Sequence, residues 1–198
     1  MRSFPISVIA VLLMAGPLLA ADQNKYEPLS DGAEWTMDVA VVAPSGETTG
    51  GTAHRKVEGQ VKKDGRTYFR LRTWKEGAPA ASDMVELARN DEAGYYTRAD
   101  TEKDIKEQLE FPWPIKEGQT WRHLSGKDII LDTVIGFETV TIEGKSYQNC
   151  CHIQAKWFDG SVTRDHWEAP NVGTVKSEMV FFNGAKLTLT LKEYKPGK

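Results

Sequence analysis

The stretch "DGSVTRDHWE" (159–168) gathers the side chains from which hydrolases are built: Ser161 as nucleophile, His166 as general base, and Asp165 or Glu168 to orient the base. Its spacing argues against that use. Neighbours on a strand point to opposite faces, so residues this close in sequence do not converge on one point. The chain also holds no nucleophile elbow, no HExxH zinc motif and no phosphate loop. Asp159 and Glu168 can be paired as acid and base, but a charged surface supplies many such pairs by accident.

Two further groups carry chemical potential. Cys150 and Cys151 are the only cysteines. Cys151 has the strand parity of Ile153, Ala155 and Trp157 and reads as a buried small apolar residue. Cys150 has the parity of Gln148, His152 and Gln154 and so reads as facing water, unless a neighbouring loop covers it. An exposed thiol at Cys150 would permit a disulfide-linked dimer, a vicinal disulfide with Cys151, or a redox-reactive thiol. Cys150 and His152 alone supply too few ligands for a zinc site, and no metal or other cofactor is expected. The second group is Tyr68, Arg70, Arg72 and Trp74, which share one strand face while Phe69, Leu71 and Thr73 share the core face. Such a face is ordinarily a solvated ladder with arginine stems lying on aromatic rings. If it turned inward, two guanidinium groups in an aromatic-walled concavity would suit an anionic ligand.

The elements that must position these residues are strands. Trp35, Met37, Val39 and Val41 alternate with polar or small residues, and Leu187, Leu189 and Leu191 share a face near the C-terminus. Asp64-Gly65 sits between two strand-like runs as a hairpin turn. At Asn183-Gly184 a two-residue loop would put charged residues in the leucine row. A three-residue loop, Phe182-Asn183-Gly184, with Gly184 in the left-handed region pairs Phe181 with Ala185, Met179 with Leu187 and Val175 with Leu191. That register keeps the apolar residues together, so it is the one expected. The only helix signal is "ADTEKDIKEQLE" (99–110), with Thr101 as N-cap and Pro112 as the stop, which predicts a short helix or an irregular linker.

A phrase occurs twice. "PLSDGAEW" (28–35) and "PIKEGQTW" (114–121) share Pro, a branched aliphatic, an acid, Gly and Trp at the same places. "DGRTY" (64–68) is echoed by "EGKSY" (143–147), "WKEG" (74–77) by "WFDG" (157–160), and "VELA" (85–88) loosely by "HWEA" (166–169). Order and near-constant spacing point to an internally duplicated unit, about 26–98 and 112–194. The acid-Gly pair makes a turn and the Trp that follows seals the end of a core.

Residues 1–21 read as a secretory signal. Arg2 precedes an apolar run from Ile6 to Met14, then Gly16-Pro17 and small residues. The run is too short for a permanent span. Without Arg2, 24 basic residues face 28 acidic ones, a net charge of −4, which offers no basic surface for nucleic acid.

The segments "FPWPIKEGQTW", "GFETVTIEGKSYQNCCHI" and "HWEAPNVGTVKSE" resemble the signature of the TapB-like family of secreted bacterial proteins and related families of undefined function, over roughly 26–180. The chain departs from it in carrying Cys150 beside Cys151 and Glu168 inside the Trp-Ala-Pro segment. The resemblance implies an antiparallel β fold outside the cytoplasm and no settled chemistry. The expectation is therefore an all-β, mainly antiparallel single domain over 22–198, in which two similar β units form a curved sheet, half-barrel or sandwich with at most one short helix near 101–110. The leading function is a non-enzymatic periplasmic or secreted protein that binds a small ligand or an envelope partner. The alternatives are a secreted hydrolase using the Asp159–Glu168 region and a purely structural envelope component.

Overall fold

The computed structural model describes residues 26–100, 106–125 and 127–198; the signal segment read at 1–21 lies outside them. Twelve strands form one antiparallel sheet: β1 (Glu34–Val42), β2 (Thr48–Lys63), β3 (Arg66–Lys75), β4 (Met84–Asn90), β5 (Gly94–Ala99), β6 (Gln108–Pro112), β7 (Thr120–Ser125), β8 (Asp128–Ile142), β9 (Lys145–Trp157), β10 (Val162–Ala169), β11 (Gly173–Phe181) and β12 (Lys186–Lys195). The order is β6-β5-β4-β3-β2-β1-β12-β11-β10-β9-β8-β7. Two six-strand meanders are thus joined through β1 and β12. The sheet curls until its end strands, β6 and β7, meet through side chains, giving a nearly closed all-β barrel. Closure of this kind hides the edges that an open sheet of twelve strands would expose.

The Pro-to-Trp and acid-Gly phrases fall at corresponding points of the two meanders. Gly32 donates to the Val57 carbonyl at 3.0 Å and Gly118 to that of Val134 at 2.9 Å. Ala33 donates to Ser30 and Gln119 to Lys116, both at 3.0 Å. Trp35 then lies in β1 and Trp121 in β7. Asp64-Gly65 and Glu143-Gly144 turn the two long hairpins, with φ of 53° and 75° against 48° and 81°. Positive φ at both central residues is what a tight two-residue hairpin demands.

One rim carries the turns of the odd-to-even hairpins; the other is plugged. There Tyr26, Ala33, Trp113 and Ile115, from the segments leading into β1 and β7, join Trp35, Val57, Leu71, Val134, Ile153, Val175 and Leu191 in the core. The last hairpin has the expected register. Met179 stands opposite Leu187, Phe181 donates to Ala185 at 3.0 Å, and Gly184 has φ 84°.

Two expectations are corrected. Of the helix sought over 101–110, residues 106–110 are not helical: Gln108–Pro112 is β6 and pairs with β5. Sheet closure buries Phe111, and that gain overrides the weak helix propensity of the segment. Residues 101–105 fall outside the described set. Cys150 does not face water. It is fully buried, as is Cys151, and its thiol lies 3.3 Å from the Tyr147 carbonyl. The reason is a bulge. Asn149 takes φ 54°, and the pairing of β8 with β9 slips between Glu138 and Val140, so simple alternation fails there. Both cysteines are free thiols. A dimer linked through Cys150 would need this strand pulled from the sheet, so that expectation is withdrawn.

Candidate functional site: a cavity astride the β6–β7 seam

β3 separates its residues as alternation requires. Leu71 is buried and Phe69 packs on the same core, while Tyr68, Arg70, Arg72 and Trp74 lie on the opposite face. The arginines there are already matched. Arg70 donates to Asp100 at 3.0 Å and to Glu58 at 2.8 Å; Arg72 donates to Asp83 at 2.8 Å and lies over the Trp74 ring. Trp74 stacks on His54, and the Tyr68 hydroxyl donates to Glu107 at 2.8 Å. β3 thus presents these four residues as a ladder of matched charges and stacked rings.

The "DGSVTRDHWE" stretch is divided between faces. Asp165 bonds His152 at 2.9 Å and Gln154 at 3.1 Å, whereas His166 and Glu168 are buried. Ser161 sits in the β9–β10 turn, its amide bonded to Asp159 at 2.9 Å, and makes no contact with His166. The nucleophile and base of a hydrolase are therefore not assembled there.

What the sheet does assemble is an interior polar belt beside the apolar plug. On β2, Arg55 donates to Glu86 of β4 at 2.9 Å and to the Tyr95 hydroxyl of β5 at 3.0 Å, with Glu27 4.0 Å away. On β10, His166 Nδ1 and Glu168 Oε1 are 2.9 Å apart, and Thr174 donates to the same oxygen at 2.9 Å. Burial holds His166 neutral, well below the usual imidazole range, so its contact with Glu168 is a hydrogen bond rather than an ion pair. Burial also pushes the Glu27 carboxyl up to about 8, helped by the nearby Glu168, and the Glu168 carboxyl up to about 7 against the bond from Thr174. His166 Nε2 and Glu168 Oε2 have no hydrogen-bond partner among the described residues.

At the seam a second chain of polar groups crosses from β8 to β5. Asp132 Oδ2 lies 2.6 Å from His123 Nδ1, His123 Nε2 lies 3.5 Å from Glu110, and Thr97 donates to Glu110 at 2.8 Å. Burial opposes a charge on His123, but the Asp132 bond and the Glu110 charge outweigh it and raise its titration. Burial raises Glu110 in turn.

A cavity of about 1140 Å³ opens around this chain. Glu86, Thr97, Lys106, Leu109 and Glu110 line it from β4, β5, β6 and the segment leading into β6, and Arg122 and His123 line it from β7. Met84, Leu124 and Ile129 stand at its margin with 68%, 48% and 41% of their surface exposed. Its size suits a small organic ligand, and its wall mixes apolar surface with a few fixed polar groups. None of these residues was a ligand-binding candidate in the sequence. The available signal was charge at core parity: Asp132 between Ile130 and Val134, and His123 two residues from Trp121.

No protein-family model and no curated protein matches the sequence. Solved structures do. A protein described as exported, with a YmcC-like fold, from Bacteroides fragilis superposes with a TM-score of 0.56 at 15% identity, over 85% of this chain and 97% of that one. A protein described as a lipoprotein, from Parabacteroides distasonis, gives 0.48 at 12% identity over 86% and 98%. A LolA-superfamily protein from Nitrosomonas europaea gives 0.39 at 9% identity over 89% and 90%. At 15% identity the likeness to the Bacteroides fragilis protein is one of fold alone.

Proposed function

We propose that this is an extracytoplasmic, non-enzymatic binding protein of the bacterial envelope that holds a small amphipathic ligand in the cavity at the β6–β7 seam. One observation carries the proposal: a cavity of about 1140 Å³ with a ready-made polar wall in Glu110, His123 and Thr97 and an exposed apolar margin. The secretory leader read from the sequence at 1–21 supports the compartment, as does the exported character in the description of the Bacteroides fragilis relative in fold. The TapB-like resemblance points to the same place and to no defined reaction. The matching hydrogen bonds around Gly32 and Gly118 support descent of the two meanders from one duplicated six-strand unit. A ligand role for Tyr68, Arg70, Arg72 and Trp74 would require an anion to displace Glu58, Asp83 and Asp100 from the guanidinium groups, so the seam cavity is the better candidate.

Native mass spectrometry of the protein released from its own compartment tests the proposal. The expected result is a retained small molecule that is lost from a Thr97→Trp variant, whose indole intrudes on the polar wall beside Glu110. A protein that carries nothing, and whose melting temperature no envelope lipid extract changes, would refute it.

A further inference from the structure

Eleven of the twelve junctions around the barrel are backbone ladders. At the twelfth, β6 and β7 are held by side chains. The Trp121 indole donates to the Glu110 carbonyl at 2.7 Å, the Leu124 amide donates to Gln108 Oε1 at 2.6 Å, and His123 reaches Glu110 at 3.5 Å. Neutral hydrogen bonds of this kind are individually weak, and a ladder sums several of them, so the barrel separates most easily here. The cavity spans this same junction, reaching Thr97 and Glu110 on the β5–β6 side and Arg122 and His123 on β7.

Charge bookkeeping along the cavity wall is uneven. Asp83 is matched by Arg72, Glu86 by Arg55, Arg98 by Asp64, and Glu107 by Arg66 and Arg89. Glu110 faces His123. That leaves Lys106 and Arg122, both exposed, as the wall's charged groups with no carboxylate partner among the described residues. Both flank the seam beside the exposed Leu124. Two unmatched cations next to apolar surface fit a molecule with an acid group at one end and a hydrocarbon body.

We propose that the β6–β7 seam is a lateral portal to the cavity and that its ligand is an anionic amphiphile, with the acid group held by Arg122 and Lys106 and the apolar body lying between the two strand edges. This rests on the cavity being the binding site, as argued above.

Isothermal titration with dodecanoate and with dodecyltrimethylammonium tests it, in the wild type, in an Arg122→Glu/Lys106→Glu variant and in Thr97→Trp. Both charge reversals are at exposed positions, and circular dichroism verifies that the variant is folded. The wild type is expected to bind dodecanoate in preference to the ammonium probe. Loss of two exposed cations, each contributing about threefold, should weaken dodecanoate about tenfold or more, and added salt should do likewise. Reversal should also shift the preference toward dodecyltrimethylammonium. Equal dodecanoate affinity in wild type and double variant, with binding abolished by Thr97→Trp, would overturn the anion assignment and leave the cavity standing. Dodecanoate binding unaffected by Thr97→Trp would overturn both. Tighter binding of the ammonium probe by the wild type would overturn the anionic ligand class alone.

Discussion

Replacing Glu27 with Gln should stabilise the protein, and more so as pH rises. Glu27 is 6% exposed, and its nearest cation, Arg55, is 4.0 Å away and already engaged by Glu86 and Tyr95. Burial, with the charge of Glu168 nearby, raises its carboxyl from 4.5 to about 8. A raised acid keeps its proton in the folded chain after the unfolded chain has lost it. The folded state is therefore favoured most below pH 4.5 and loses that advantage as pH climbs through about 8. At about 1.4 kcal/mol per pH unit, a span of about 3.5 units sets a ceiling of about 5 kcal/mol. Relaxation of the site, and sharing of the proton with Glu168, should reduce the measurable part to about 1–2 kcal/mol. Urea unfolding followed by tryptophan fluorescence at pH 5, 6.5 and 8 provides the assay. Glu27→Gln is expected within about 0.5 kcal/mol of wild type at pH 5 and more stable by about 1–2 kcal/mol at pH 8. A variant less stable than wild type at pH 8, or one with an unchanged pH slope, would refute the reasoning, because Glu27 would then be an ionised partner of Arg55.

Other consequences follow from the same geometry. Trp121→Phe removes the indole donor to Glu110 and should cost about 1 kcal/mol, with hydrogen exchange accelerating in β6 and β7 but not in β1–β3; uniform acceleration would mean that the seam is no weak point. Val57→Ala and Val134→Ala, at corresponding places in the two meanders and both fully enclosed, should each cost about 2 kcal/mol; a disparity well beyond that in chemical denaturation would count against structural equivalence. Burial raises Cys150 to about 11 and Cys151 to about 12, so both thiols should resist a disulfide reagent at pH 8 until the protein is unfolded, and rapid labelling of the native protein would contradict the buried bulge. Gly184→Ala forces a side chain onto φ 84° and should cost about 1 kcal/mol; an unchanged midpoint in urea would show that the loop relaxes.

Much of the strand framework was legible because alternation and turn chemistry constrain it tightly. The register of the β11–β12 hairpin followed from keeping Met179, Leu187 and Val175 on one face, since a one-residue slip would turn the leucines outward. The doubled Pro-to-Trp phrase marked the start of each meander because the same turn and hydrogen bonds recur there. The limits were bulges and closure. Asn149 in "SYQNCCHI" is a residue type that tolerates positive φ, yet nothing near it announces an extra residue, and the parity of Cys150 was misjudged through it. β6 resembled a helix because its strand character comes from pairing with Tyr95 and Tyr96, far from its own sequence signals. The seam cavity stayed hidden because Glu110, His123 and Arg122 converge only when the ends of a twelve-strand sheet meet. A buried Asp or His at core parity reads, residue by residue, like a solvated one.

The most direct test of the seam cavity is a map of amide chemical shifts as dodecanoate is titrated into isotope-labelled protein. The account expects the changes to concentrate at Thr97, Glu110, Arg122 and His123, on the strands that flank the seam, with β1, β11 and β12 unmoved. Shifts centred instead on Tyr68–Trp74 of β3, with the seam silent, would contradict it.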